Sequence, residues 1–88
     1  MTTQTLVNAQ MKDESVIAKL NQKIANKKIR IFCVWNHGFL KVSLEPNQNS
    51  EMKLEKYESF LSIIDFNPYL HIMIPYTEFT TIEFKEVD

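Results

Sequence analysis

Residues 29–44 read Ile-Arg-Ile-Phe-Cys-Val-Trp-Asn-His-Gly-Phe-Leu-Lys-Val-Ser-Leu, and this stretch decides the fold class. Its two halves are rich in β-branched and aromatic side chains, which fit a pleated, half-buried surface better than a helix. Between them, Asn36-His37-Gly38 holds the only glycine of the chain. The last position of a three-residue hairpin loop commonly needs a left-handed conformation, which glycine adopts without a Cβ penalty. Residues 29–35 and 39–44 are therefore expected to pair as a hairpin.

On the N-terminal side of this hairpin, Val16, Ile17, Leu20 and Ile24 recur at three- and four-residue spacing. That is one face of a helix of about three and a half turns. Asp13 offers a side-chain oxygen to the orphan amides at its start, and Asn26 is the expected stop. Glu14 suits the positive end of the helix, and Lys23, Lys27 and Lys28 suit the negative end. Residues 1–12 are polar and lack periodicity, so they read as a flexible N-terminal arm.

On the C-terminal side, residues 45–53 contain Pro46, Asn47, Asn49 and Ser50 and have no period, which predicts a mobile polar loop. A long third strand is expected over residues 54–65, a turn at Phe66-Asn67-Pro68, and a fourth strand over residues 69–74 that Pro75 ends. The last strand is expected over residues 79–85, where Ile82 and Phe84 alternate with Glu83 and Lys85. The expected fold is α+β, mainly β: an N-terminal helix followed by a five-stranded, strongly bent antiparallel sheet or small barrel. Residues 13–88 would form this single domain, because a sheet this short hides its edges by curling nearly closed.

The composition supports one small core. Hydrophobic residues make up 44% of 88 residues and aromatics 11%, too much apolar material for a disordered chain. Ten basic and eleven acidic side chains leave a formal charge of −1, so no whole-protein field attracts nucleic acid or an anionic membrane. One cysteine, Cys33, excludes an intramolecular disulfide and fits a reducing cytoplasm. Residues 1–15 hold no apolar run like a signal peptide, and no apolar stretch reaches eighteen residues. The chain is thus expected to be neither secreted nor membrane-spanning. Abundant Lys, Asn and Ile point to an AT-rich genome, such as a low-GC bacterium or its phage.

Lys12-Asp13-Glu14 opening a helix with Leu20-Asn21-Gln22-Lys23-Ile24 resembles the YolD-like family of low-GC bacteria and their phages. So do Ile29-Arg30-Ile31-Phe32 before the Gly38 turn and Ile63-Ile64-Asp65 before a tight turn. Ile74-Pro75 leading to Phe79-Thr80-Thr81-Ile82-Glu83 completes a similarity over about residues 12–84. The resemblance implies a small Sm/Hfq-like barrel and a role in the SOS response as accessory to a translesion DNA polymerase. The family's tryptophan and proline-phenylalanine pair have no counterpart in residues 1–12, and residues 44–57 exceed its usual connection. It has no accepted catalytic residues to transfer.

Candidate sites are few. Cys33, His37 and His71 are too scattered in sequence to specify a metal site, and nothing supplies an oxyanion hole or orienting group for a Cys-His nucleophile. One glycine excludes a glycine-rich phosphate loop. No cofactor is expected, and the chain reads as non-enzymatic. Lys27, Lys28, Arg30 and Lys41 beside Phe32, Trp35 and Phe39 suit single-stranded nucleic acid, although the lysines equally serve a helix end and the aromatics a core. Tyr57, Phe60, Tyr69, Tyr76 and Phe79, together with Trp35, are too many for a small interior, so some should face outward as a protein interface. Three roles fit: a protein-binding accessory, possible also as a homo-oligomer; an Sm-like RNA or single-strand binder; and a phage-encoded inhibitor of a host or defence protein.

Overall fold

A computed structural model describes residues 3–87. In chain order the elements are β1 (Thr3–Leu6), α1 (Asn8–Met11), α2 (Glu14–Ala25), β2 (Ile29–Asn36), β3 (Phe39–Leu44), β4 (Lys53–Lys56), β5 (Phe60–Phe66), β6 (Tyr69–Pro75) and β7 (Thr80–Glu86). The strands form two antiparallel sheets, one ordered β1-β7-β2-β3 and the other β4-β5-β6. Neither closes, so the expected five-stranded sheet or Sm-like barrel is not what this chain builds.

The correction has a local cause. The strand expected over residues 54–65 breaks at Tyr57-Glu58-Ser59, where Tyr57 N donates to Phe60 O at 2.9 Å and turns the chain back as a hairpin. No single strand is then long enough to bend through both sheets. The sheets instead share one core from opposite sides, with Leu6, Phe32, Val34, Ile82 and Phe84 from the first and Leu54, Leu61, Ile63 and Ile74 from the second.

Residues 1–12 do not behave as an unstructured arm over their described part. β1 pairs with β7 from Thr3↔Lys85 to Leu6↔Ile82, and α1 buries Met11. Leu6 and Met11 are the anchors, too far apart to produce a period. Met1 and Thr2 lie outside the described residues.

The β2–β3 hairpin turns more tightly than a three-residue loop. Asn36 pairs with Phe39, leaving two loop residues, His37 at φ 52° and Gly38 at φ 77°. Positive φ at both is the two-residue turn whose twist matches that of the flanking strands.

Helix α2 starts as its sequence specifies, with Asp13 Oδ1 accepting from Ser15 N at 2.9 Å. That contact and the Ser15 hydroxyl hold the Asp13 carboxyl below its usual range. Ile17, Leu20 and Ile24 are buried, and the helix fills the space between the sheets on the β1 and β4 sides. The Asn21 amide donates to Leu54 O at 2.7 Å and accepts from Leu54 N at 2.8 Å, standing in for a neighbouring strand. Lys23 Nζ pairs with the Glu86 carboxylate of β7. The helix ends on left-handed Lys27, φ 59°. Lys27 N donates to Ile24 O and Lys28 N to Lys23 O, the paired bonds of a Schellman cap with lysine where glycine is usual.

The polar stretch before β4 is anchored rather than free. Ser50 and Met52 are buried, Lys27 Nζ donates to Ser50 O, and Asp65 Oδ1 accepts from Glu51 N at 2.9 Å and Asn67 N at 3.1 Å. Burial pushes the Asp65 carboxyl up, but the Asn67 and Glu51 amides and the Ser50 hydroxyl outweigh it and hold it below its ordinary 3.8.

Leu20→Asp is expected to cost several kcal/mol, because Leu20 is 2% exposed and an unpaired charge there meets only apolar surface. Gln48→Ala, on an exposed position, should stay within about half a kcal/mol. Thermal melts of the two variants check this contrast. Asp65 makes a second prediction. Its folded-state pKa lies below the unfolded 3.8, so its stabilisation is complete above that value and is lost as pH falls through and below it. Asp65→Asn should cost about 1–3 kcal/mol at neutral pH and flatten the stability profile below the carboxylate range, as read by urea melts over pH.

Candidate functional site

The outer face of the three-stranded sheet has no covering layer. Alternate residues of its strands, Leu54, Leu61, Ile63 and Ile74, point into the core. The intervening ones point out, and the register aligns them as Lys53-Ile64-His71, Glu55-Ser62-Met73, Phe60-Pro75 and Phe66-Tyr69. Phe66, Tyr69 and Met73 are 59%, 68% and 57% exposed. At one end the Tyr57 and Phe60 rings stack with centroids 4.6 Å apart. At the other, Phe66 and Tyr69 tilt against each other at 6.3 Å. About 20 Å of strand separates the two pairs, and Ile64 and Met73 fill the space between.

The rim on the β4 side is polar. Lys53 Nζ lies 3.2 Å from Glu55 Oε1, and the Tyr57 hydroxyl donates to Glu55 Oε2. The Tyr57 hydroxyl and Lys53 hold the Glu55 carboxyl below its usual range, and Glu55 in turn pushes the Tyr57 phenol up. Ser62 Oγ and His71 Nε2 sit 2.9 Å apart on the same face. They pair a hydroxyl with an imidazole, yet no carboxylate hydrogen-bonds to His71 among the described residues. A nucleophile needs that third, orienting group.

Of the six aromatics expected at an interface, Tyr57, Phe60 and Tyr69 lie on this face. Trp35 is half-buried on the outer side of the other sheet, in register with Leu40 and Thr81. Phe79 is 54% exposed and packs on His37 at 4.7 Å beside the β2–β3 turn. Tyr76 is half-buried against the core, its hydroxyl donating to Asn8, and burial pushes its pKa up. Ile64, Phe66 and Met73 were not expected in this role. The signal for Ile64 and Phe66 is a strand, residues 60–66, that is apolar on both alternations and therefore hides which side faces solvent; Met73 lies in the next strand, opposite Ser62.

The four basic candidates do not form one patch. Lys27 closes the helix and holds Ser50, and Lys28 accepts Val87 N on its carbonyl at 2.7 Å. Arg30 lies at the start of β2, whereas Lys41 lies beside residues paired with Val34 and Trp35, about 15 Å further along the strand. Phe32 is fully buried and offers no stacking surface. Cys33, 3.4 Å from Ser43 Oγ, His37 and His71 stand on three separate parts of the surface. Among the described residues no group of three or more His, Cys, Asp or Glu is placed to hold a metal. No described helix is long and apolar enough to cross a membrane.

No family model, curated protein or solved structure matches this chain. The functional reading accordingly rests on the exposed face.

Replacing Phe66 and Tyr69 together with Ser is expected to cost no more than about 1 kcal/mol, the worth of one exposed cross-strand aromatic pair. Ile63→Ser, at a fully buried position of the same strand, should cost several times more. Urea melts of the two variants measure the difference, and a loss above about 2 kcal/mol for the exposed pair would show that the face is covered.

Proposed function

We propose that this chain is a non-catalytic cytoplasmic binding protein that docks a protein partner on the outer face of its three-stranded sheet. The observation that carries the reading is the exposure of Phe66, Tyr69 and Met73 together on one continuous face. Large apolar side chains gathered on a sheet and rimmed by polar groups mark protein contacts. Aromatic anchors dominate the energy of such contacts. The scattered cations favour a protein over nucleic acid, because a strand of phosphates needs several positive groups along one track.

The resemblance of residues 12–84 to YolD-like proteins supplies the partner to test first, a translesion DNA polymerase of the SOS response. It supplies a partner and not a fold. A purified polymerase of this class, passed over the immobilised protein, should be retained. The Phe66→Ser, Tyr69→Ser variant should weaken retention at least about tenfold, a loss typical of removing one hot spot. Equal retention by the variant would refute docking at this face. Binding of oligouridine at low salt with no polymerase retention would favour the Sm-like single-strand reading, and specific capture of a purified host or defence factor would favour the inhibitor reading.

A further inference from the structure

Four strands are sheet edges: β1 and β3 in one sheet, β4 and β6 in the other. An edge presents unpaired N–H and C=O groups and recruits another strand unless something blunts it. Three of these edges are blunted. β1 has only four residues. β3 carries Lys41 next to a register shift between Val34 and Trp35 of its neighbour. β4 is four residues long with Lys53, Glu55 and Lys56, and the Asn21 amide already occupies both main-chain groups of Leu54.

Before its terminal Pro75, β6 has none of these devices. It runs seven residues, Tyr-Leu-His-Ile-Met-Ile-Pro, with no Lys, Arg, Asp or Glu. Its register with β5 is unbroken from Phe66↔Tyr69 to Phe60↔Pro75, and among the described residues β5 is its only ladder partner. The one proline is the terminal residue, whose carbonyl accepts from Asn36 at 2.7 Å.

We propose that β6 pairs antiparallel with β6 of a second copy of this chain, joining two three-stranded sheets into one of six. The charge pattern selects a second copy as the occupant. The strand offers no charge for a foreign partner to match and none to repel itself, and a formal charge of −1 leaves no field that keeps copies apart. Two identical antiparallel strands are self-complementary about a two-fold axis. Centring the axis on Ile72, the midpoint, gives all seven residues a facing residue. Met73 then lies opposite the partner's His71, and Ile74 opposite the partner's Leu70. Half-buried Leu70 and Ile72 gain cover. The contact is the strand edge, so this inference does not rest on the docking reading, and the outer faces of both copies stay open side by side.

One strand pair buries less than the ~800 Å² per partner of a standard interface, which predicts a weak, concentration-dependent dimer. Sedimentation velocity of the full chain from roughly 5 to roughly 500 µM should show monomer giving way to dimer and nothing larger. Met73→Lys and Met73→Glu, at a position 57% exposed, should each weaken dimerisation about tenfold or more. An equimolar mixture should recover it, because the two position-73 side chains meet diagonally across the axis, about 8 Å apart. Hydrogen exchange on the wild-type chain gives a readout without substitution: the amides of His71 and Met73, which the ladder leaves pointing away from β5, should gain protection as concentration rises. A wild-type chain that stays monomeric, an oligomer that neither variant weakens, or protection that appears on another edge would overturn the proposal.

Discussion

Everything in the larger sheet hangs on β7. The last strand returns to lie between β1 and β2, placing Ile82 against Leu6 and Val34 and Phe84 against Phe32. Ile82 and Phe84 are 0% and 3% exposed and stand in the middle of the core. Without β7, β1 has no neighbour and β2 keeps one side only. Glu86 of the same strand takes Gln4 and Lys23 together, so the helix is fastened through it as well. Thr80 at the other end donates to Asn36, whose amide reaches Pro75 O, and this buried link ties the larger sheet to the smaller.

The bare face follows from the number of layers. A sheet buries its second face only if a further layer is present, and among the described residues none lies outside the three-stranded sheet. Helix α2 is committed to the space beside β4 and β1. The smaller sheet therefore has one covered side, yet β5 is apolar on both, with Leu61 and Ile63 inward and Phe60, Ile64 and Phe66 outward. A strand built like the centre of a three-layer protein, with a layer on one side only, is the ground for the docking proposed on its outer side.

The sequence was readable where neighbours in the chain are neighbours in space. Asp13 and the stripe Ile17, Leu20 and Ile24 placed the helix, and Gly38 placed the hairpin, because caps, periods and turns are local. Residues 3–6 were missed because their only partner lies some eighty residues away and four polar-leaning residues carry no pattern. The break at Tyr57-Glu58-Ser59 has neither glycine nor proline, so one long strand was read where two exist, and the barrel followed from that error. Lys27 ends the helix in a conformation that nothing about lysine advertises. Among site residues, Tyr57, Phe60 and Tyr69 were legible as excess aromatics. Phe66 was not, since an apolar residue beside a turn reads equally as core, and Tyr76 turned inward for the same ambiguity.

Placing the final strand in the middle of a sheet has a consequence for how the chain is made. At translation rates of about 5–20 residues per second, Ile82 leaves the ribosome on the order of 4–15 s after Leu6, which it must cover. β4, β5 and β6 close through short hairpins as soon as they emerge, but β1 and one side of β2 wait for β7. Throughout that interval Leu6, Phe32 and Val34 have no lid, and a nascent chain with open apolar strands is what holding chaperones bind. The topology lets the smaller sheet pair its strands first, through local hairpins, while the larger one and the core the two share wait for β7.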